Sequence, residues 1–222
     1  AANTVCAEAD MVLGVGTRFQ DFTTGSWGLF ANPSRRLISL NVAAYDAMKH
    51  GAAPLLADAL VGLTELSAAL DGYTAPGKTD GLKDDWFAKV DPLTAAPEDS
   101  NQLPTDMQVI GSVQRAATPE TVVMCAAGTM PGELHKLWKA GRPGSYHMEY
   151  GFSCMGYEIA GAMGIKMADP ARDVICFTGD GTYMMANSEM ATAAMMGIAF
   201  TVVVTDNRGY GCINRLQMGC GG

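Results

Sequence analysis

Two polar clusters, each directly after an apolar run, contain the residues best suited to chemistry. Gly179-Asp180-Gly181 follows the run Val174–Thr178, and Asp206-Asn207 follows the run Ile198–Thr205. Carboxylate and amide oxygens are hard ligands that Mg²⁺ accepts, and the ion usually completes its shell with water and phosphate. If the two runs are neighbouring parallel strands, their ends meet at one edge. The spacing then predicts a magnesium and phosphate site.

A lone Gly-Asp-Gly is more often an ordinary turn whose Asp caps a helix. The two flanking apolar runs and the spaced Asn207 favour the site. Gly179 and Gly181 permit a tight turn and a close backbone approach to a ligand. Backbone N–H groups after Gly181 and around Tyr210 are suited to holding a phosphate.

The elements that must position these clusters alternate between strands and helices. Asp10–Gly16 and Arg35–Asn41 are typical of buried parallel strands, and Ala57–Leu70 has leucines at helical spacing. The alternation returns after residue 102, where Thr105 and Asn187 are suited to cap helices. The predicted elements of this zone include a strand followed by a glycine turn, Thr121–Gly128, and a small-residue helix, Ser153–Ala168. We therefore expect an α/β protein with two doubly wound parallel-sheet domains, whose ligands bind beyond the carboxyl ends of the strands.

Prolines, glycines and charged residues concentrate between the two alternating zones. We interpret residues 74–101 as an interdomain linker with one helical turn near Trp86 and Phe87. The predicted domains are then residues 1–73 and 102–222. Because the sequence opens within a helix–strand pattern and stops without a finished element, we expect an internal piece of a longer protein.

Composition excludes several classes of protein. The formal net charge is −8, and no cluster of Lys and Arg is present, so a nucleic-acid partner is not expected. No long apolar run suggests a membrane span, and no secretory signal precedes the first strand. The six cysteines lack CxxC pairing, which favours a reduced, cytoplasmic protein with buried thiols over a disulfide framework.

The Gly-Asp-Gly motif with its spaced Asn resembles the diphosphate-site motif of thiamine-diphosphate enzymes. The resemblance implies that the side chains of Asp180 and Asn207 and the carbonyl of Gly209 bind Mg²⁺, which holds the cofactor's diphosphate. The motif's usual first Asn is Asp206 here, at a position that is not normally a metal ligand. The implied diphosphate contacts are Gly128, Thr129, Gly179, Gly181, Thr182 and Tyr210.

The segment Phe152–Gly164 resembles the part of these enzymes that meets the cofactor's aminopyrimidine. The resemblance implies backbone contacts from Ser153 and Met155, with the Met155 side chain wedging the cofactor into its bent conformation. Plain core packing is the alternative for Met155, because 15 methionines are present. His147 and Glu149 either face a substrate or are solvated loop residues.

The first zone resembles the central domain of the acetolactate-synthase-like branch of these enzymes. Gly14-Val15-Gly16 follows a predicted strand, but the third glycine of the dinucleotide-binding fingerprint is missing. We therefore expect this domain to be structural and assign it no cofactor.

Three stretches resemble, more narrowly, the hydrolases of myo-inositol breakdown that open a cyclic 1,2-dione with water. The resemblance implies thiamine diphosphate and Mg²⁺ as cofactors, a small-molecule substrate, and a homodimer or homotetramer. A carboligase or decarboxylase of the acetolactate-synthase type and a non-catalytic binding fragment are the alternatives. The three stretches are Glu149–Ala168, Gly179–Ala193 and Asp206–Gln217.

Members of this family activate the cofactor with a Glu in an N-terminal pyrimidine-binding domain. No residue of this sequence is given that catalytic role. We expect the chain to hold the diphosphate half of a site and to be inactive alone.

Overall fold

The computed structural model describes residues 2–74, 79–99 and 101–221. The chain divides into two compact units, Ala1–Trp86 and Phe87–Gly222, each built around a parallel sheet. The predicted α/β class with two parallel sheets is confirmed. Within those described ranges, no helix is long and apolar enough to cross a membrane.

The first unit has a three-stranded sheet with its second strand in the centre. The two strands predicted here are confirmed to within a residue or two, and the predicted helix over residues 57–70 is present. Its strands are β1 (Met11–Val15), β2 (Arg36–Asn41) and β3 (Ala53–Leu56), and its helices are α1 (Ala2–Glu8), α2 (Asp21–Thr24), α3 (Ala44–Ala47) and α4 (Ala59–Ala69).

The loop after β1 is filled by an aromatic side chain. Phe19 is buried in the unit's core and packs so closely on Gly14 that a Cβ there would lie 2.2 Å from its ring. The rings of Phe19 and Phe30 also pack edge to face, with their centroids 6.2 Å apart. Gly14 therefore accommodates core packing at the end of β1.

The segment predicted as a linker contains more regular structure than one helical turn. Helix α5 (Leu82–Val90) is followed by a 3-10 helix, Asp91–Thr94. The ammonium of Lys139 lies 4.6 Å from the Phe87 ring, and Arg115 donates to the Thr94 carbonyl at 2.9 Å. These contacts attach the end of the segment to the second unit. Residues 75–78 and 100 of the predicted linker lie outside the described residues.

The second unit has a four-stranded sheet in the order β5-β4-β6-β7. All three strand pairs are parallel, so the four carboxyl ends lie at one edge. The β4 strand is fully buried, and β6 is buried except at its last residue, as expected for a sheet covered on both faces. The strands are β4 (Val122–Cys125), β5 (Tyr146–Met148), β6 (Val174–Gly179) and β7 (Thr201–Thr205).

Helices of the second unit pack on this sheet. Ile159 and Ala162 of one helix join Met124 and Cys176 of the strands in a buried core cluster. The helices are α6 (Asp106–Ala116), α7 (Thr129–Leu137), α8 (Tyr157–Ala168), α9 (Asp180–Ala186), α10 (Ser188–Met195) and α11 (Gly211–Gly219).

The predicted helix starts met different outcomes. Thr105 caps α6 in a reciprocal capping box with Gln108, with hydrogen bonds of 2.9 and 3.3 Å, and this prediction is confirmed. Asn187 was predicted to cap α10, but its backbone is already helical and its side chain makes no cap hydrogen bond. The helix predicted from Ser153 begins only at Tyr157, because Ser153 and Gly156 have φ of 54° and 92°.

Candidate functional site

The carboxylate of Asp180 joins the ends of β6 and β7. Its Oδ1 accepts a hydrogen bond from the Asn207 N–H at 3.4 Å, and its Oδ2 accepts one from the Gly209 N–H at 2.7 Å. Gly179 ends β6 with an extended backbone, and Asp180 opens α9 directly. The expected glycine turn is therefore wrong in detail, because the strand passes straight into a helix.

The hydrogen bonds around Asp180 favour its charged form. Desolvation by burial acts to raise the pKa of this carboxyl. N–H donors from Gly209, Gly181 and Asn207 outweigh that effect and hold the pKa below its ordinary value. The side chain is therefore a carboxylate, which is the form that binds a hard cation.

Gly181 lies beneath the Tyr210 ring. A Cβ at residue 181 would lie 2.8 Å from a ring carbon and 3.1 Å from the Gly209 carbonyl oxygen. Glycine at this position thus allows the loop after β7 to approach the start of α9. Thr182, the next residue of α9, is buried.

The loop after β7 combines side-chain capping with left-handed backbone. Asn207 Oδ1 accepts a hydrogen bond from the Gly211 N–H at 3.3 Å, at the start of α11. Arg208 and Gly209 have φ of 60° and 140°. The Asp206 carboxylate accepts from the Arg208 N–H at 2.8 Å, so it is used within its own loop.

The oxygen donors at this edge fit a hard divalent cation. Asp180, Asn207 and the Gly209 carbonyl come from the two neighbouring strand ends, and each carboxylate or amide oxygen keeps a free lone pair beyond its N–H contact. Among the residues that the structure describes, no cluster of three or more His, Cys, Asp or Glu is suited to a metal. A single carboxylate suits Mg²⁺, which takes few protein ligands and keeps phosphate and water.

A second polar turn follows β4. We call residues 126–129 the Gly128 turn, after the glycine whose φ is 103°. Thr129 begins α7, and its Oγ1 accepts a hydrogen bond from the Arg215 guanidinium of α11. Sequence reasoning missed Arg215, because nothing in its neighbourhood marks a cation that reaches a turn 86 positions earlier.

A third turn, residues 152–156, is called the Ser153 turn. Glu149 accepts hydrogen bonds from the N–H groups of Phe152 at 2.8 Å and Cys154 at 2.7 Å. These N–H donors lower the pKa of the Glu149 carboxyl. Glu149 therefore has a structural partner in its own loop. Met155 is partly exposed.

The Ser153 turn contacts two other parts of the site. A Cβ at Gly156 would lie 3.3 Å from the Ala186 Cβ, at the end of α9. Glu158, which is 1% exposed, accepts from the Gly156 N–H at 3.0 Å and from the Ala127 N–H at 3.2 Å. Sequence reasoning also missed Glu158. The available signal was a carboxylate directly before a run of small and apolar residues, Ile159–Ile165.

The structure thus brings the predicted site residues to one edge of the second sheet. Hydrogen bonds or close contacts connect the start of α9 to the loop after β7, the end of α9 to the Ser153 turn, and that turn to the Gly128 turn. This edge offers backbone N–H groups, hard oxygen donors and the guanidinium of Arg215, which together suit a phosphate-bearing ligand bound with a metal.

Comparison with known protein families agrees with this geometry. Residues 126–222 match the thiamine pyrophosphate enzyme C-terminal TPP binding domain, and residues 1–66 match the thiamine pyrophosphate enzyme central domain. The two matches together span most of the chain, which belongs to the thiamine pyrophosphate enzymes.

Three similar curated proteins carry the name 3D-(3,5/4)-trihydroxycyclohexane-1,2-dione hydrolase. The chain is 37% identical to the protein of Geobacillus thermodenitrificans over 241 residues, which cover 98% of this chain. It is 36% identical to that of Halalkalibacterium halodurans over 247 residues and 38% identical to that of Bacillus cereus strain AH820 over 250 residues, each covering 100% of this chain. The chain spans 37% to 39% of the length of these relatives.

Proposed function

We propose that this chain supplies the diphosphate side of the active site of a thiamine-diphosphate-dependent hydrolase. The substrate is a trihydroxycyclohexane-1,2-dione, whose ring C–C bond is cleaved with water to give 5-deoxy-glucuronate in myo-inositol degradation. The observation that carries the proposal is the closure of Asp180 onto the loop after β7, which gathers hard oxygen donors at one sheet edge. The shared name of the relatives supports the choice of substrate.

Each proposed contact has a role that follows from its chemistry. Oxygen donors at the ends of β6 and β7 hold Mg²⁺, backbone N–H groups and hydroxyls hold the diphosphate, and the Ser153 turn meets the aminopyrimidine. The proposed metal ligands are Asp180, Asn207 and Gly209. The proposed cofactor contacts are Gly128, Thr129, Ser153, Met155, Gly179, Gly181, Thr182 and Tyr210.

Bound thiamine diphosphate supplies an electron sink for cleavage of a C–C bond. The residues of this chain orient the cofactor and neutralise its charge. Asp180 stays ionised under the N–H groups that surround it, and Met155 presents a partly exposed apolar side chain to the ring system. Among the described residues, none is assigned the role of the acid that activates the aminopyrimidine.

Calorimetric titration of thiamine diphosphate into the chain, with Mg²⁺ and with EDTA, tests the cofactor site. We expect binding that requires Mg²⁺. Product analysis on the natural polypeptide that contains this sequence tests the reaction, with the cyclic dione and pyruvate as competing substrates. Release of 5-deoxy-glucuronate supports the proposal, whereas acetolactate from pyruvate would replace it with the carboligase.

We also propose the domain assignment, cellular location and assembly that accompany this function. Residues 1–73 are assigned to a partial central domain, 74–101 to a linker and 102–222 to the diphosphate-binding domain. The natural protein is proposed to be a cytoplasmic homodimer or homotetramer that acts on a small molecule, with no nucleic-acid or membrane partner. The net charge of −8 and the free cysteines of the described chain support this setting.

A further inference from the structure

One buried carboxylate connects two turns that belong to different parts of the chain. Glu158 lies in the first turn of α8, where its Oε1 accepts from Ala127 in the Gly128 turn and its Oε2 accepts from Gly156 in the Ser153 turn. Each oxygen therefore serves a different turn, and the side chain bridges them with no intervening residue.

Burying a carboxylate at this position costs desolvation free energy that an apolar side chain would not. Burial raises the pKa of Glu158, and the negative charge of Glu149 adds to that effect. The N–H donors of Ala127 and Gly156 act in the opposite direction and offset part of the desolvation. Since the residues that follow Glu158 in α8, from Ile159 to Ile165, are all small or apolar, packing alone does not require an acid here.

The Ser153 turn is held from both ends by acids. Glu149 binds the N–H groups of Phe152 and Cys154, and Glu158 binds that of Gly156. Only Glu158 also reaches the Gly128 turn. Glu149 thus shapes one turn, whereas Glu158 fixes the distance between two.

We propose that Glu158 is a positioning residue that couples the Gly128 turn to the Ser153 turn, so that the contacts for the two ends of thiamine diphosphate are fixed relative to each other. The inference rests on the proposed function, in which these turns meet the diphosphate and the aminopyrimidine. A cofactor that must touch both turns gains affinity when their separation is set before it binds.

The test compares Glu158→Gln with Glu133→Gln in the full chain. The first replacement keeps the shape of the side chain, but its amide group cannot accept from both N–H groups. The matched control removes a partly exposed carboxylate of α7 that pairs with Lys136. Amide hydrogen exchange measured by NMR without ligand reports the Ala127 and Gly156 N–H groups, and calorimetry reports the affinity for thiamine diphosphate in Mg²⁺.

We expect Glu158→Gln to accelerate exchange at both N–H groups and to weaken cofactor binding by roughly 10- to 100-fold, the usual effect of losing a hydrogen bond to a charged group. The control should leave both quantities unchanged. Faster exchange at one turn only, or an affinity within about twofold of wild type, would overturn the inference.

A wild-type measurement keeps the inference testable if the variant does not fold. Native-state exchange across a denaturant series should give Ala127 and Gly156 the same opening free energy and the same denaturant dependence. Different values would overturn the coupling. Coupled turns in a wild-type chain that binds no thiamine diphosphate would contradict the proposed function and leave the coupling intact.

Discussion

The Asp180 carboxylate accepts a hydrogen bond from the backbone of Gly209 at 2.7 Å, across 29 positions of the chain. The bond closes the loop after β7 onto the first turn of α9. Asp180 therefore serves as a proposed metal ligand and as the anchor of the loop that carries the other two proposed ligands. Removing its charge should affect cofactor binding through both roles.

Replacing Asp180 with Asn should weaken Mg²⁺-dependent binding of thiamine diphosphate by at least about tenfold, since hydrogen bonds to charged groups contribute about 1.5–3 kcal/mol. The amide keeps the shape of the side chain but presents N–H groups to the N–H groups of the loop. Calorimetry in Mg²⁺ measures the change.

Asp206→Asn is the matched control for that replacement. Its carboxylate accepts from the Arg208 N–H within its own loop, and an amide oxygen can do the same. Equal losses of affinity in the two variants would mean that the net charge of the loop, and not the position of Asp180, governs binding.

Gly181→Ala should lower cofactor affinity and reduce the free energy of unfolding by at most about 2.5 kcal/mol. The added methyl group would lie 2.8 Å from a Tyr210 ring carbon and must displace the loop after β7. Overpacking of this kind costs about 1–3 kcal/mol, whereas alanine in a helix gains roughly 0.5–1 kcal/mol over glycine. Calorimetry and thermal unfolding separate the two effects.

The control for Gly181→Ala is Gly164→Ala in α8, where a Cβ has no neighbour within 4 Å. That variant should raise the free energy of unfolding slightly and leave cofactor binding unchanged. If Gly181→Ala binds thiamine diphosphate as tightly as wild type, the close approach of Tyr210 does not matter for the site.

Thr105→Ala should reduce the free energy of unfolding by about 1 kcal/mol, because it removes the side-chain half of the capping box at the start of α6. Urea denaturation measures the loss. Thr105→Ser keeps the hydroxyl and should recover most of it. A Thr105→Ala chain as stable as wild type would show that the cap hydrogen bond makes no net contribution.

The two acids that bind the Ser153 turn, Glu149 and Glu158, should have pKa values shifted in opposite directions. The N–H groups of Cys154 and Phe152 lower the pKa of Glu149 below its ordinary value of 4.5, and burial raises that of Glu158 above it. Carboxyl ¹³C NMR across the acidic range measures both. Two coincident midpoints would contradict the hydrogen-bond arrangement.

These directions determine how each acid contributes to the pH dependence of stability. The contribution of Glu149 is fully present above its unfolded pKa and is lost as pH falls through its lower folded pKa. Glu158 has the opposite sign, because its raised folded pKa makes its contribution less favourable as pH rises from the unfolded to the folded value.

Thiol reactivity should divide the cysteines by burial. Cys125 and Cys176 are buried, and burial raises the pKa of the Cys125 thiol to about 12 and shifts that of Cys176 upward as well. Both should resist an aromatic disulfide reagent in the native chain and react after denaturation, whereas the exposed Cys154 and Cys220 should react first. Rapid native labelling of Cys125 would contradict the buried strand β4.

Sequence patterns predicted the elements whose signals are local. The apolar runs gave β1, β2, β4 and β6 closely, and the Thr105 cap follows from a hydroxyl and a glutamine three residues apart. The regular structure of the linker was underestimated, because it depends on residues distant in sequence: Lys139 packs on Phe87 of α5, and Arg115 donates to Thr94 of the 3-10 helix.

The residues that join the site were not predictable in the same way. Glu158 and Arg215 act on turns 31 and 86 positions away, and no periodicity or spacing records such contacts. The start of α9 at Asp180 was also missed, since glycines on both sides favour a turn when judged locally. Local sequence patterns are enough to predict the fold class of this chain, whereas the contacts that connect its site form only in the tertiary structure.

Because the strands of the second sheet are all parallel, the proposed site lies at one edge of the sheet and the amino ends of the strands lie at the opposite edge. Every proposed ligand lies at or beyond the carboxyl end of a strand, and none of them lies in a connection at the amino ends. At the opposite edge of the sheet, the connection between α8 and β6 is exposed at Pro170 and Ala171. A reporter domain inserted there, or new chain termini opened there, would cost loop entropy that grows only slowly with length. The domain is therefore modular, with one edge free for engineering while the other binds.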